Sequence, residues 1–372
     1  MDPRRALFHW RDPYDLPGTE DLFVRAVADN CAFHRANCPG YKKITDHLDF
    51  DPDQVRTIAD LARVPALPTV FFKRHALFSV PENKLFMKVT SSGTSGKFSQ
   101  VGFSLGDVLI EAPEILHLGR YHGLFSPVPA HQLILGYKPN QNNHTGVTRT
   151  MFGLSLMAPA LSRTYALLYR DGAYVPDLDG VAAALGHHAG TRFPTRIIGF
   201  PSYLWFLLKA MEERELTLKL RPGSRIMLAG GWKQFSGQEV EKPRLYALAK
   251  KVLGVEEDVF REFFGAVEHP VFINACKNHH LHVPIYSRIL IRDVNTLEVL
   301  PMGQIGLVDL MTPMLRATPL TSVMTDDLGY LTPGTECGCG IKSPYITLLG
   351  RAGMADVKTC AAGAAELMEG MK

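Results

Sequence analysis

The chain has no run of about 18 apolar residues, so no membrane-spanning helix is expected. Its opening, MDPRRALFHWRDPYDLPGTEDLF, carries two arginines but no apolar stretch behind them, so no signal peptide is expected. An excess of one charge is missing too. Forty Lys and Arg face 37 Asp and Glu for a formal net charge of +3, which makes no electrostatic case for nucleic acid or an anionic membrane. There is no internal repeat, and the nearest thing to low complexity is the Ala/Gly-rich end, CAAGAAELMEGMK. The cysteines are only six: Cys31, Cys38, Cys276, Cys337, Cys339 and Cys360. Without a secretion signal they read as reduced thiols, metal ligands or a nucleophile, not as a disulfide framework, and the expected compartment is the cytosol. Apolar residues are plentiful: 46% of 372 is enough for a large core in one big domain or two.

The patterning predicts an early helix over GTEDLFVRAVADNCAFHRANCPG, capped by Thr19, with acids in its first turn and Pro39-Gly40 at its end. A second short helix is expected over DPDQVRTIADLARVP. Strands and helices then alternate. HQLILGY is a strand, DLDGVAAALGHHA a helix, and TRIIGFP a strand followed by the helix SYLWFLLKAMEERE. SRIMLAGG is another strand, and SGQEVEKPRLYALAKKVLG is largely helical despite Pro243. This order predicts an α/β domain with mostly parallel strands. From about Pro284 the style changes: IYSRILIRDV, QIGLVDLM and YITLLG are strands without long helices between them, so a β-rich part follows.

The chemistry-bearing stretch is KVTSSGTSGKFSQV, Lys88 to Val101. Glycines let a backbone approach a ligand and turn its N–H groups inward, hydroxyls add donors, and a lysine adds charge, which together make a phosphate cradle. The alternative is a surface loop. It is not a Walker A loop, since Gly93 and Gly96 are too close together and Phe98 follows Lys97. CKNHHLHVP and CGCG together hold Cys276, His279, His280, His282, Cys337 and Cys339, enough for a tetrahedral zinc site. There His282 is the favoured fourth ligand, with His279 and His280 as fallbacks; the alternative is small buried cysteines beside solvated histidines. Near the end, Cys360 follows Lys358 and Thr359. It is either an idle cysteine or a thiol at a helix N-terminus whose thiolate is favoured.

SSGTSGK resembles the phosphate loop of the adenylate-forming superfamily, whose members join a carboxylic acid to AMP and release pyrophosphate. By that resemblance Ser92, Gly93, Thr94, Ser95, Gly96 and Lys97 hold the ATP phosphates, with Lys97 catalytic. Ser99 stands where many members carry a second lysine. MLAGGWK resembles the segment against adenine, placing Gly230 and Gly231 there. FFGAVEH resembles the aromatic-Gly-x-Thr-Glu motif, giving Phe264, Gly265 and a magnesium ligand in Glu268, with Val267 in place of the threonine. MTDDLGY gives Asp327 for the ribose hydroxyls, and LLGR gives Arg351 at the hinge.

Along nearly its whole length the chain resembles the acyl-protein synthetases of bacterial bioluminescence. The resemblance rests on LPTVFFKRHALFS, SSGTSGKFS, AGGWK, HVPIYSRILIRDVNTLEVLPMGQIGLVDL, TDDLGYL, CGCG and LLGR…KTC. It implies an α/β adenylate-forming core of mixed sheets with a β-rich subdomain near the C-terminus. The expected layout is a core over 1–350 (a helical lead-in to 85, an α/β part over 86–282, a β-rich part over 283–350). A short tail over 351–372 then stands where most of the superfamily has a lid domain. The resemblance also implies ATP, Mg²⁺ and a structural Zn²⁺ as cofactors, a fatty acid as substrate, Cys360 as the thiol that takes the acyl group, and a reductase or carrier protein as its acceptor. Two other readings stay open. One is a ligase handing an aryl or short-chain acid to CoA or a carrier. The other is a catalytically weak nucleotide-binding subunit of a reductase or biosynthetic complex. GFPSYLWFLL and QNNHTGVTRTMFG are expected to help line the acid pocket, with His144 either a pocket residue or a solvated loop histidine.

Overall fold

The computed structural model describes residues 2–91, 98–140, 143 and 145–351, with the side chains of 233, 234 and 236 excepted. The chain forms two compact units. One takes in the described residues up to His122 and those from Gly265 onward; the other is Gly123–Phe264. Among the described residues no helix is long and apolar enough to cross a membrane.

The second unit is the α/β part. Its strands lie in the order Phe260–Ala266, Arg225–Ala229, Thr195–Gly199, Ala130–Tyr137, Ala160–Arg170, Ala173–Pro176. All neighbours are parallel except the last pair. Ala130–Tyr137 and Thr195–Gly199 are buried almost without a break, His131, Gln132 and Arg196 included, because parallel strands are covered on both faces. The helices repeat at helical spacing. Pro201–Glu213 buries Leu204, Leu207, Leu208 and Met211, each worth about 1.5–3 kcal/mol when taken from water. Lys242–Leu253 buries Leu245, Leu248, Ala249 and Val252. Pro243 lies in the first turn of that helix, where no intrahelical N–H is needed, and Gly254 ends it in the left-handed conformation, φ 60°.

The first unit has a sheet ordered Leu281–His282, Tyr345–Arg351, Ser322–Thr332, Gly306–Met311, Arg288–Arg292. These pairs are antiparallel, and Leu67–Pro68 adds to Ser322–Thr332 in parallel. A separate hairpin pairs Met87–Thr90 with Gln100–Phe103. Two expectations need correction here. The first long helix is Leu16–Asn37 and its cap is Asp15, whose side chain accepts the Gly18 N–H at 3.0 Å. Thr19 is buried inside the helix, its hydroxyl donating to the Asp15 carbonyl at 2.8 Å. That helix does end before Pro39-Gly40, as expected, and Pro39 also opens the next one, Pro39–His47, since proline's fixed φ suits a first turn. DPDQVRTIADLARVP forms two 3₁₀ turns, Pro52–Gln54 and Ala59–Arg63. Asp60 there accepts from the Arg56 and Thr57 N–H groups, diverting the backbone from a continuous helix.

A helix that the patterning did not announce, Leu105–Tyr121, contains Pro113 and starts with a Ser104/Asp107 capping box. Its inner face carries two acids beside Ile110 and Leu118: Asp107 and Glu114 are fully buried. Glu114 accepts the Phe272 N–H at 3.0 Å, and its Oε2 has no partner among the described residues. Burial pushes the Glu114 carboxyl well above the carboxylate range; Glu111 adds to this and the Phe272 N–H opposes it. A carboxyl raised in the folded state contributes stability in full below its unfolded pKa of about 4.3 and loses it as pH rises. Glu114→Gln keeps an acceptor and cannot ionise. The difference in melting temperature, variant minus wild type, is therefore expected to grow from roughly pH 5 to pH 8. A flat difference would show that Glu114 folds ionised.

Candidate nucleotide site and cysteine–histidine centre

The second unit changes winding direction between two neighbouring parallel strands. The chain leaves Ala130–Tyr137 towards Ala160–Arg170 on one side and leaves Thr195–Gly199 towards Arg225–Ala229 on the other. In α/β sheets ligands bind outside the carboxyl ends of strands at such a switch point. The loop after Tyr137, the Gly199-Phe200-Pro201 turn, Gly230-Gly231 after Ala229, and Phe264-Gly265 near the end of Phe260–Ala266 all belong to that edge. Gly230 has φ 77°, which an L side chain rarely adopts. At Gly231 a side chain would meet no atom within 4 Å among the described residues, so packing against them does not demand a glycine there. The Tyr174 hydroxyl pins the base of the first loop: it accepts from Asn140 and Asn143 at 2.9 and 2.7 Å and donates to the Lys138 carbonyl at 2.9 Å. His144 lies outside the described residues.

In the first unit, the neck of the hairpin Met87–Thr90/Gln100–Phe103 is closed by two bonds. Ser91 N–H reaches the Ser99 carbonyl at 3.1 Å, and Ser99 N–H reaches Ser91 Oγ at 3.0 Å. Ser92, Gly93, Thr94, Ser95, Gly96 and Lys97 lie outside the described residues. Ser99 is wholly buried, so a charged lysine at this position would carry a desolvation cost. Glu268 sits in the two-residue turn between Phe260–Ala266 and His269–Asn274, 5% exposed. Val267 packs against the first unit's core. His269, next in sequence, is buried; burial pushes its pKa down to about 3, so it is neutral, with Nε2 3.0 Å from the Ser287 hydroxyl.

Asp327 on Ser322–Thr332 is in register with Arg351 on Tyr345–Arg351. Arg351 Nε is 3.8 Å from Asp327 Oδ1, and Nη1 is 3.8 Å from Asp326 Oδ2. The arginine side chain is 68% exposed, so this contact places the groups side by side without contributing much stability. The two residues assigned to the ribose are thus brought together.

The structure brings the four favoured cysteine and histidine candidates into one cluster. Ligand atoms of Cys276, His282, Cys337 and Cys339 all lie within 4.8 Å of one another. Cys276 and Cys337 sulfurs are 3.5 Å apart, and Cys339 Sγ is 3.4 Å from His282 Nε2. Tetrahedral zinc with about 2.3 Å metal–sulfur bonds needs sulfurs about 3.8 Å apart, so the set fits. His282 Nδ1 is 2.7 Å from the Ser343 carbonyl, which assigns its proton to that nitrogen and turns the Nε2 lone pair toward Cys339. The Asn278 N–H donates to Cys276 Sγ and the Ile341 N–H to Cys339 Sγ, each at 3.3 Å, an arrangement that favours thiolates. Gly338 and Gly340, φ 71° and 103°, supply the left-handed turns that let Cys337 and Cys339 point to one place. Burial pushes the Cys337 thiol up to about 12, helped by hydrogen bonds with Cys339 and Cys276; a divalent cation reverses that preference.

His279 is outside this set. His280 is a neighbour the sequence offered only as a fallback: its Nδ1 is 3.1 Å from Cys337 Sγ, and its ring stacks on Tyr345 at 4.3 Å. Cys31 and Cys38 are buried, and burial pushes Cys31 up to about 11 and raises Cys38. Cys360 lies outside the described residues.

The fold is that of adenylate-forming ligases. It superposes on 2-hydroxyisobutyryl-CoA ligase, solved in complex with 2-HIB-AMP and CoA, with a TM-score of 0.67 over 92% of this chain and 76% of that one, at 16% identity. The chain belongs to the acyl-protein synthetase (LuxE) family, whose profile matches residues 10–368, and it is a ligase. Among curated relatives it is 24% identical to the long-chain-fatty-acid–luciferin-component ligase of Vibrio harveyi, over 86% of this chain and 81% of that protein. It is 26% identical to the phenylacetate–coenzyme A ligase of Thermus thermophilus, over 81% of this chain but only 63% of that longer protein.

Purified protein is expected to bind one thiophilic divalent metal per chain. Cys337→Ser with Cys339→Ser, or His282→Ala, should abolish tight binding and lower the melting temperature, whereas His280→Ala should retain the metal. Metal analysis and thermal denaturation check this. Undiminished metal in the His282 variant would move the fourth ligand to His280.

Proposed function

We propose that this ligase uses magnesium-ATP to adenylate a fatty acid and then takes the acyl group onto its own Cys360 as a thioester, for delivery to an acyl-accepting protein. In the first step the carboxylate attacks the α-phosphorus of ATP and pyrophosphate leaves. In the second the Cys360 thiolate attacks the acyl carbon and AMP leaves, carrying the bond's electron pair. The observation that carries this reading is the family match over residues 10–368, a range that takes in the nucleotide motifs and Cys360. The register pairing of Asp327 with Arg351 supports the ribose assignment, and the glycines of the switch-point edge support the adenine assignment. Burial of Cys31 and Cys38, and the commitment of Cys276, Cys337 and Cys339 to one cluster, support Cys360 as the acyl acceptor.

In this reading Ser92–Lys97 hold the phosphates, Gly230, Gly231, Phe264 and Gly265 border the adenine, Asp327 and Arg351 hold the ribose, and Glu268 holds the magnesium. The Mg²⁺ would neutralise phosphate charge and steady the leaving pyrophosphate. The Cys/His cluster would hold Zn²⁺ as a closed, four-ligand structural site with no position open for substrate. The phenylacetate–CoA ligase relatives favour a second reading, in which the acyl-adenylate is handed to CoA.

Thr94→Ala removes a donor to a charged acceptor, worth about 1.5–3 kcal/mol, so acid-dependent ATP–pyrophosphate exchange should fall roughly ten- to a hundredfold with the fold intact. Exchange at the wild-type rate would remove the loop from the site. With ATP and a panel of fatty acids, intact-mass analysis should show one added acyl group that neutral hydroxylamine releases. Cys360→Ser should lose this adduct while keeping pyrophosphate exchange. A labile adduct that persists in the variant, or free acyl-CoA as the sole product, would reject the covalent role; failure of exchange with every acid would favour a nucleotide-binding subunit.

A further inference from the structure

In the parallel sheet of the second unit, one row of neighbouring side chains is wholly polar. Gln132 on Ala130–Tyr137 is in register with Arg163 on Ala160–Arg170 and with Arg196 on Thr195–Gly199. Arg196 is in turn in register with Arg225, which opens Arg225–Ala229. Register partners point to the same face of a sheet, so the four side chains form one row across four strands. The next row on that face includes Ile134, Ile198 and Met227, all apolar and fully buried. The polar row stands near the amino ends of its strands, away from the carboxyl ends that form the candidate nucleotide edge.

The row is short of hydrogen-bond partners and of negative charge. Gln132 is 0% exposed, and neither its Nε2 nor its Oε1 has a partner among the described residues. Arg196 is 2% exposed, and its Nε is likewise without a partner among them. Its Nη2 donates to the Leu124 carbonyl at 2.6 Å and lies 3.4 Å from Met227 Sδ. Arg163 Nε donates to Ser155 Oγ at 3.2 Å, and Arg225 Nη1 to the Ser224 carbonyl at 2.9 Å. All of these acceptors are neutral, and the four strands contain no Asp or Glu. Burial pushes the Arg196 guanidinium down to about 10, and Arg225 adds to this. Arg261, in register with Met227, is lowered by burial and by Arg225, with Asp258 opposing. Buried amide and guanidinium groups are nearly always paired, and cations gathered without acids call for an anion.

We propose that this row is an oxyanion site of the second unit whose ligand is a phosphate group, free or at the end of a larger molecule. The donors are Arg196 Nε, the Gln132 amide N–H groups and the guanidiniums of Arg163 and Arg225, which suit the tetrahedral oxygens of such a group. Gln132 Oε1 needs a donor in return. Hydrogenphosphate carries an O–H beside its acceptor oxygens, whereas sulfate has the same shape and charge and no proton at neutral pH. Arg163 is exposed and Arg225 half-buried, so the two ends of the row reach the surface while its middle is buried. None of these residues takes part in the nucleotide assignment above.

Full-length protein is titrated calorimetrically with inorganic phosphate, glycerol 3-phosphate and sulfate at constant ionic strength. The wild type is compared with Thr94→Ala, Gln132→Leu and Arg225→Gln. Phosphate should raise the melting temperature and bind saturably at a site that Thr94→Ala leaves intact. Gln132→Leu keeps most of the side chain's bulk without its polar atoms, and Arg225→Gln removes a half-buried charge; each should weaken phosphate about tenfold or more. Sulfate should bind the wild type about tenfold more weakly than phosphate, since it leaves Gln132 Oε1 without a donor. Should Gln132→Leu fail to fold, Arg225→Gln and the sulfate comparison decide the matter. Glycerol 3-phosphate binding as tightly as phosphate assigns the site to phosphate monoesters, and binding of phosphate alone assigns it to the free ion. The proposal is overturned by the absence of saturable phosphate binding, by equal affinity for sulfate, or by binding that Thr94→Ala abolishes and Arg225→Gln leaves unchanged.

Discussion

A buried stretch of irregular backbone must find hydrogen-bond partners outside itself, and the first unit is organised around meeting that requirement between Met314 and Thr318. The partners come from both its N-terminal helices and the helix Leu105–Tyr121: Arg4, Asn30, His34 and Asp107. Each is a polar group whose burial would be costly alone and is tolerable because the segment supplies its complement. Burial pushes His34 down to about 3, so it stays neutral. Its Nε2 proton faces the Leu315 carbonyl, and its Nδ1 meets Ser79 Oγ at 2.7 Å. Ser79 in turn donates its N–H to the Ala317 carbonyl. The same irregular backbone thereby leads into the strand that carries Asp327.

The parts that carry function were legible to different degrees. The parallel strands of the second unit stood out as apolar runs bounded by turns, and Thr195–Gly199 and Arg225–Ala229 form where TRIIGFP and SRIMLAGG predict. The four members of the cysteine–histidine cluster were also readable, because thiols and imidazoles at short spacing have few other common purposes. The sequence favoured His282 with His280 as a fallback, but the deciding fact, the Ser343 carbonyl at Nδ1, is tertiary. Asp107 was invisible. As a sequence feature it is an ordinary third residue of a capping box, and nothing nearby announces partners over 200 residues away. The helix it opens was hidden by Pro113, a residue that normally marks a boundary.

The misplaced cap of the first long helix has the same origin. Thr19 and Asp15 are both good capping residues, and the choice fell to Asp15 because Pro17 fits the first turn. The absent second lysine is explained by the buried setting of Ser99, and the missing motif threonine by Val267 packing into the core. In both places the needs of the hairpin neck and the core set the residue type.

The first unit is assembled from two stretches of chain with the second unit's 123–264 between them. Arg4, Asn30 and His34 precede the carbonyls they bind by 310, 285 and 281 residues. At about 5–20 residues per second of synthesis, these side chains emerge from the ribosome roughly 15–60 s before their acceptors exist. The second unit, contiguous in sequence, has all its own strands well within that interval. During translation, the middle of this protein is therefore able to close its core first, while the N-terminal helices wait as the nascent segment with the longest exposure of unmatched buried-to-be surface.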